Sequence, residues 1–351
     1  MSAVLPADGS LADAQQKSEG VWHAAWRRYK TDRVGLVAMF VVLFFVLLIV
    51  LSAAGLVAKN WQAEVGVPNA PPTVLGPRPP AAIGAIEVPQ GPNVDLSDVD
   101  PLAPRYEEWE RRAKEFQTTE TVKSETLPFG GDRLGRDVLS KAIKGTEISV
   151  FVGVMAALAA TFLGTLLGAT GGFFGGKVSD FLEWVYNVFE SIPNILLIFA
   201  FAAVVGRGVE SVVIILALTG WTGMYRQVRA EFIKHRSREY VRSAEAIGAS
   251  IGSRMFRHIL PNVSHVILVR MSLLAVGFIK AEVILSYLGL GVRVDQVSWG
   301  TMLAEAQSEL ILGHWWQLAA ATLFMAVFVT AFSLMADAWR DALDPKLRGL
   351  E

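Results

Sequence analysis

The chain has 351 residues, of which 52% are hydrophobic and 19% charged, and its mean hydropathy is +0.41. For this length, the composition predicts an integral membrane protein rather than one or two soluble domains, with too little polar sequence for a nucleotide-hydrolysing domain. The formal net charge of -1 gives no indication of nucleic-acid binding, and the lack of cysteine excludes disulfides and thiolate metal sites.

Residues 1–33 are predicted to form a cytoplasmic N-terminal segment. Residues 1–20 are small and polar, which indicates disorder. Aromatic residues then recur at helical spacing beside basic ones, and this pattern fits either an interfacial helix or a charged flank of the first membrane span. The residues concerned are Trp22, Ala25, Trp26, Tyr29, Arg27, Arg28, Lys30 and Arg33.

Residues 34–58 are the predicted first transmembrane helix. This apolar run is longer than the h-region of a signal peptide, so we expect an uncleaved anchor with the N-terminus inside. The polar residues 59–147 that follow are predicted to be a long extracytoplasmic insert. Its first part, up to residue 104, is rich in Pro and Gly and should be irregular, whereas residues 105–117 have the pattern of an amphipathic helix.

Five further apolar runs predict the remaining spans, at about residues 148–170, 178–205, 209–228, 263–288 and 315–336. The fold class is therefore an all-α integral membrane protein with six transmembrane helices, both termini cytoplasmic, and a charged tail at 337–351. The fourth span is expected to be broken at Gly220 and Gly223. The second repeats small residues at about four-residue spacing, which favours close contact between helices: Gly153, Ala157, Gly164, Gly168 and Gly172.

The loop between spans four and five, residues 234–262, carries an excess of Lys and Arg, which marks the cytoplasmic side. Its residues predict a short helix that begins near Glu239, with Ser237 as its cap and Gly248 in the left-handed turn that ends it. Pro261 is predicted to stand at the start of the next membrane helix.

The same loop carries a family resemblance. Gly248, Leu260 and Pro261 fall at the spacing of the EAA loop of ABC importer permeases, and Ala244 matches its second alanine. Arg242 stands where that loop has glutamate. The string Arg-His-Ile-Leu-Pro-Asn at 257–262 and the segment 129–140 resemble the dipeptide and oligopeptide subgroup of these permeases.

The resemblance implies a non-catalytic permease subunit that forms half of a translocation pathway for di- or oligopeptides in the bacterial inner membrane. It implies three kinds of partner in the bilayer assembly: a second homologous permease subunit, two ATPase subunits that bind ATP and Mg, and an extracytoplasmic solute-binding protein. The chain itself would hold no cofactor and no nucleic acid. The loop would be the coupling helix that docks on an ATPase subunit, through Glu239, Tyr240, Arg242, Ala244, Glu245, Ala246, Gly248, Ala249, Leu260 and Pro261.

Two further sets of residues are candidates for roles in such a transporter. Glu183, Glu190 and Glu282 lie inside predicted spans, where acids usually face the bundle interior or water, and are candidates for the translocation pathway. The alternative is a salt bridge or a position near the membrane interface, with Lys280 as the neighbour that favours this alternative for Glu282. The insert has too little apolar surface for a core of its own. It is either a scaffold or a docking surface for the binding protein, through Glu107, Glu108, Glu110, Arg111 and Arg112.

No pattern of residues indicates catalysis or a metal site. His258 and His265, seven residues apart, are interpreted as interfacial polar residues rather than metal ligands. The near match to a phosphate-binding loop at 171–178 is rejected, since Val178 has no hydroxyl and a membrane span precedes it. The alternative substrates are nickel chelates, glutathione or peptide antibiotics. An autonomous membrane enzyme or channel is the alternative class. A permease should copurify with ATPase subunits, whereas an autonomous enzyme or channel should not.

Overall fold

The structure is a computed structural model and describes residues 21–77, 100–115, 123–293 and 295–343. The predictions for the disordered N-terminus, for the proline-rich residues 78–99 and for the last eight residues lie outside this part of the chain. In the described ranges the secondary structure is helical, apart from isolated β-bridges.

Eleven α-helices are described in the four ranges and are numbered in chain order. They are α1 (Val21–Tyr29), α2 (Arg33–Ala53), α3 (Tyr106–Glu115), α4 (Val138–Phe174), α5 (Gly176–Glu190), α6 (Asn194–Val205), α7 (Val209–Arg236), α8 (Glu239–Ala246), α9 (Leu260–Tyr287), α10 (Trp299–Ile311) and α11 (Trp316–Leu343). Short 3-10 helices lie at Thr73–Leu75 and Ala103–Arg105, and a π-helix at Ser253–Ile259 leads directly into α9.

Three helices of the described part, α2, α4 and α11, are long and apolar enough to cross a membrane. A fourth span results if α5 and α6 are counted together, although their axes differ by 87°. The predicted span over 178–205 therefore consists of two helices with a sharp bend between them, and a single crossing by this pair remains a prediction. The break lies at Pro193, which caps α6 and disfavours helical geometry in the residue before it. The six-span arrangement remains a prediction.

Helix α4 lies at the centre of the bundle, and its glycines let α7 approach closely. A Cβ atom on Gly164, Gly168 or Gly172 would lie only 2.6–2.7 Å from a carbonyl oxygen of α7. These oxygens belong to residues 221, 225 and 229, so the two four-residue repeats face each other turn by turn. The predicted packing stripe of small residues is thus confirmed.

Helix α4 also begins ten residues earlier than the predicted second span. Asp137 caps it by accepting hydrogen bonds from the backbone N–H groups of Leu139 and Ser140. The charges of this first part are paired inside the protein, with Lys141 almost fully buried and Lys144 2.7 Å from Glu147. Hydropathy alone assigned these residues to the insert, because it does not detect such pairing.

The expected break in the fourth span is absent from α7, which is continuous from Val209 to Arg236. Gly220 and Gly223 instead make room for side chains of α9. A Cβ on Gly220 would lie 2.3 Å from Cζ of Phe278, and one on Gly223 would lie 2.6 Å from Nη2 of Arg270. Both glycines are therefore packing positions within a regular helix.

The two ends of the described chain meet at one end of the bundle. Helix α1 lies against the last turns of α11, where the rings of Tyr29 and Trp339 stack with centroids 4.7 Å apart. Trp26 stacks on both rings at 5.8 Å. Helix α11 therefore continues to Leu343, seven residues beyond the predicted end of the span, because this last part is buried by α1.

The described parts of the insert form a small cap at the opposite end of the bundle. Isolated bridges join Glu64 to Arg136, residue 66 to residue 124, and residue 72 to residue 127. Helix α3 lies outside this cap, and the described side chains from residue 104 to 113 are all exposed.

Candidate functional site

The candidate coupling loop forms a short helix, α8, whose buried face packs on the end of the bundle. Val241 and Ala244 are 2% and 4% exposed, and Val241 belongs to a core cluster with residues of α4, α7 and α9. Ala244 is therefore a packing residue and is not available to a partner protein. Leu260 and Ala249 are half-buried.

The opposite face of α8 is exposed and carries most of the residues predicted for partner contact. Ile247 is 86% exposed and stands at the end of the helix, a feature that the sequence pattern did not single out. A large apolar side chain at this position suits a pocket on another protein. The exposed predicted residues are Glu239, Tyr240, Arg242, Glu245, Ala246, Gly248 and Pro261.

The end of α8 has the predicted geometry, but its start does not. Gly248 has φ +86°, and the N–H groups of Gly248 and Ala249 donate to the carbonyls of Glu245 and Ala244, which is a Schellman motif. The N-cap is Arg238, without a side-chain cap. Ser237 has helical dihedral angles, and its hydroxyl donates back to the carbonyl of Lys234 instead of capping α8.

Pro261 stands in the first turn of α9, as predicted, and the π-helix Ser253–Ile259 leads directly into this turn. Proline has no N–H group, and its ring would clash with the carbonyl of residue 257 in a regular α-helix. The wider π turn accommodates the ring. Ser250 accepts a hydrogen bond from the N–H of Ser253, close to the start of this second helical segment.

Three basic contacts attach the loop to the ends of the long helices. Glu245 of α8 forms an ion pair with Arg254 of the π-helix, and the Arg254 guanidinium lies 5.5 Å from the ring centroid of Phe173 in α4. Arg236 at the end of α7 donates to the carbonyl of the same Phe173 at 2.7 Å. Through Arg254 these contacts connect α8 to Phe173 of α4, and the same residue is held by the end of α7.

The structure separates the three acids predicted for the pathway. Glu183 is half-buried on α5, where its carboxylate lies 3.2 Å from Nε of Arg229 of α7. Glu190 is exposed in the last turn of α5, next to the sharp bend. Glu282 is fully buried and accepts a hydrogen bond from Ser286, whereas Lys280 is exposed. The alternative salt bridge between Glu282 and Lys280 is therefore not formed.

A cavity of about 410 Å³ lies between α7, α9 and α11 and was not foreseen from the sequence. Its polar lining consists of Gln227, His265, Arg270 and Arg340. Arg270 was overlooked because hydropathy averages one charge away within a long apolar run. The sequence feature that could have indicated a close neighbour here is Gly223, which was interpreted as a helix break.

At the other end of the bundle, an ion-pair network ties the insert to the helices. We call Asp132, Arg136, Lys141 and Glu305 the insert-side network. Nζ of Lys141 lies 2.8 Å from Asp132 and also contacts Glu305 of α10, while Nε of Arg136 lies 2.6 Å from Asp132. Asp132 and Lys141 are 0% and 1% exposed.

Glu309 of α10 lies beside this network and is 2% exposed. Its Oε1 accepts the backbone N–H of Arg133 at 2.9 Å, and Oε2 has no partner within the described residues. Burial raises the pKa of Glu309 from 4.5 to about 7, and the nearby Lys141 offsets this only in part.

We expect the free energy of unfolding to change with pH because of the Glu309 carboxyl. Its pKa is raised in the folded state, so its contribution is fully present below pH 4.5 and is lost as the pH rises through 7. Glu309→Gln keeps an oxygen for the Arg133 N–H. It should match the wild type near pH 4 and exceed its unfolding free energy by up to about 3 kcal/mol at pH 8. Melting temperatures at the two pH values test this, with exposed Glu210→Gln as the control. Parallel pH profiles for wild type and Glu309→Gln would contradict it.

The described helices and the apolar spans define a class: an all-helical, multi-pass membrane protein, here with a short, largely exposed helix at one end of the bundle. Residues 160–349, more than half of the chain, match the family described as "Binding-protein-dependent transport system inner membrane component". The chain belongs to this family and is the permease component of such a transport system.

Relatives extend the match beyond that region. The dipeptide transport system permease protein DppC of Bacillus subtilis (strain 168) is 36% identical over 220 residues, covering 63% of this chain and 69% of that protein. The oligopeptide transport system permease protein OppC of the same strain is 34% identical over 239 residues, covering 67% and 78%. The dipeptide transport system permease protein DppC of Lactococcus lactis subsp. cremoris (strain MG1363) is 30% identical over 322 residues, covering 92% and 90%.

Proposed function

We propose that the chain is a permease subunit of an ATP-driven ABC importer and forms half of the translocation pathway for di- or oligopeptides. Its family membership and the names of its relatives, which are dipeptide and oligopeptide permeases, support this substrate class. The observation that carries the proposal is α8. Two buried side chains hold this short helix at the end of the bundle, and its other residues are exposed to solvent.

The assembly that we propose contains a second homologous permease chain, two ATPase subunits and an extracytoplasmic solute-binding protein, in the bacterial inner membrane. ATP and Mg belong to the ATPase subunits, and this chain contributes no catalytic residue. In addition to α2, α4, α11 and the bent pair α5–α6, helices α7 and α9 complete six spans. Each has 28 residues, or about 42 Å of helix, which exceeds the roughly 30 Å of a bilayer core.

Sidedness follows from the basic loop, which places α8 and both chain ends in the cytoplasm and the insert outside. ATP-driven closure of the ATPase subunits moves α8. The Glu245–Arg254 pair and the contacts on Phe173 carry that motion into α4, α7 and α9, and the permease switches between inward-open and outward-open states.

Gly248→Leu tests the coupling role. The left-handed conformation of Gly248 costs a branched residue about 1 kcal/mol or more, and relieving that strain reorients the exposed face of α8. A Cβ there meets nothing within 4 Å, so insertion and folding should be unchanged. We expect loss of peptide uptake and of peptide-stimulated ATPase activity in the reconstituted complex.

Gly252→Leu is the matched control, because Gly252 also has open space around it but a helical φ of -60°. It should retain uptake. Normal coupling in Gly248→Leu, or equal loss in both variants, would exclude a role for the left-handed turn.

Helix α3 is the proposed docking surface for the solute-binding protein, with a scaffold over the outer mouth as the alternative. The side chains of Glu107, Glu108, Glu110, Arg111 and Arg112 are exposed, and Arg112 pairs with Glu108 at 3.1 Å on the helix itself. Replacing residues 106–115 with a glycine-serine linker should weaken binding-protein affinity and make the remaining binding less salt-sensitive, since exposed charges are screened over roughly 8 Å. Binding-protein titrations at low and high salt measure this. Unchanged binding-protein affinity and unchanged transport would exclude docking by α3 and favour the scaffold alternative.

A further inference from the structure

Arg270 is a positive charge within a long apolar helix. It lies seven residues inside the predicted fifth span, 263–288, or about 10 Å along the helix axis. The cavity beside it is also lined by Arg340 and Leu343, beyond the predicted end of the sixth span, and so lies near the end of the bundle where α1 packs on α11. A charged side chain within a span is costly, and such residues mark substrate or ion pathways.

The side chain of Arg270 lines the cavity between α7, α9 and α11, together with Gln227, His265 and Arg340. Among the residues that the structure describes, no acid lines this cavity or forms an ion pair with Arg270. Nε of Arg270 is buried and has no hydrogen-bond partner there. The cavity thus contains positive charge and donors without a matching anion.

Helix α7 is shaped to hold the guanidinium in this position. Nη2 of Arg270 occupies the place of the missing side chain of Gly223, at 2.6 Å from where its Cβ would stand. The remaining walls are aliphatic side chains, including Val269 and Leu273 of α9. Apolar walls lower the local dielectric and strengthen any ion pair made inside.

We propose that Arg270 is the centre of an anion subsite that binds a carboxylate of the peptide as it passes through the permease. This proposal rests on the proposed function and deepens it, because every peptide with an unmodified C-terminus carries such a group. Guanidinium binds carboxylate through two parallel hydrogen bonds, a geometry that an ammonium cannot reproduce. Gln227 is placed to donate a further hydrogen bond, and His265 and Arg340 add polar character to the lining.

Uptake by the complete complex in proteoliposomes tests the subsite. The substrates are a dipeptide with a free C-terminus and its C-terminal amide, chosen so that the solute-binding protein binds both with similar affinity. Arg270→Gln should lower kcat/KM for the free acid about tenfold or more and change that for the amide much less. Arg270→Lys should restore part of the loss, and Gly223→Ala, which displaces the guanidinium, should act in the same direction as Arg270→Gln.

Lys280→Gln is the matched control, since Lys280 lies on the same helix, is exposed and does not line the cavity. A loss equal to that of Arg270→Gln, or equal effects of Arg270→Gln on acid and amide, would overturn the subsite. Failure of the wild-type complex to take up either peptide would instead overturn the proposed function.

Photo-crosslinking locates the ligand independently of the uptake rate. A photoreactive amino acid replacing Leu273 in the cavity wall should label radioactive peptide during turnover, and Arg270→Gln should abolish that labelling. The same amino acid replacing exposed Leu334 of α11, which does not line the cavity, should give none. Labelling of a phospholipid headgroup but not of peptide at Leu273 would overturn the proposal.

Discussion

Lys141→Met should destabilise the insert end of the bundle by about 3–5 kcal/mol, the range for removing one partner of a buried ion pair. Lys141 is 1% exposed and is the main counter-charge for Asp132, which is 0% exposed. Burial works to raise the pKa of Asp132, but Lys141 and Arg136 outweigh it and hold that pKa below its ordinary value. After the substitution, Arg136 alone would face a buried carboxylate.

Thermal unfolding of the purified protein measures this loss. Lys144→Met is the control, because Lys144 pairs with Glu147 on a side of α4 where both side chains are about one quarter exposed. Such a pair contributes about 0–1 kcal/mol. The double variant Lys141→Met, Asp132→Asn should recover part of the loss, since it no longer buries an uncompensated charge. Equal melting temperatures for the two single variants would contradict the assigned role of Lys141.

Gly168→Val should separate α4 from α7 and reduce the yield of folded protein. Its Cβ would lie 2.7 Å from the carbonyl oxygen of Tyr225 and 3.0 Å from Cβ of Val228, and neither can move without shifting α7. Overpacking of this kind costs about 1–3 kcal/mol, and the two added methyl groups of valine place the cost at the upper end.

Gly277→Val is the matched control, since Gly277 lies inside α9 with nothing within 4 Å of its Cβ position. Both variants replace a glycine inside a long helix by valine. A difference in melting temperature between them therefore isolates the contact between α4 and α7. Similar yields and melting temperatures for both would show that the glycine stripe does not control the approach of α7.

The parts of the fold that follow local rules were predictable from the sequence. The left-handed turn at Gly248 and the glycine stripe of α4 depend on one residue type at a fixed spacing, and both are present. The bend before α6 was signalled by Pro193 but overlooked, because hydropathy treats residues 178–205 as one apolar run.

The remaining features depend on residues far apart in the chain. Lys141 can pair with Glu305, which is 164 residues away in the chain, only when α4 and α10 have packed together. Ala244 and Val241 point into the core, and no spacing rule distinguishes them from exposed neighbours until the position of α8 on the bundle is known. The cavity around Arg270 likewise exists only between three helices.

The contact between α1 and the last turns of α11 also sets the order in which the helices can pack during synthesis. Arg28 of α1 donates to the carbonyl of Ala342, 314 residues later in the chain. At 5–20 residues per second, the ribosome needs about 15–60 s to supply that partner. Throughout this interval only the α2 partners of α1, Leu36 and Met39, are available, and the stacking partner Trp339 is still missing. The aromatic stack of Trp26, Tyr29 and Trp339 is therefore among the last contacts that can form, and it joins the two ends of the described chain only when α11 has been made.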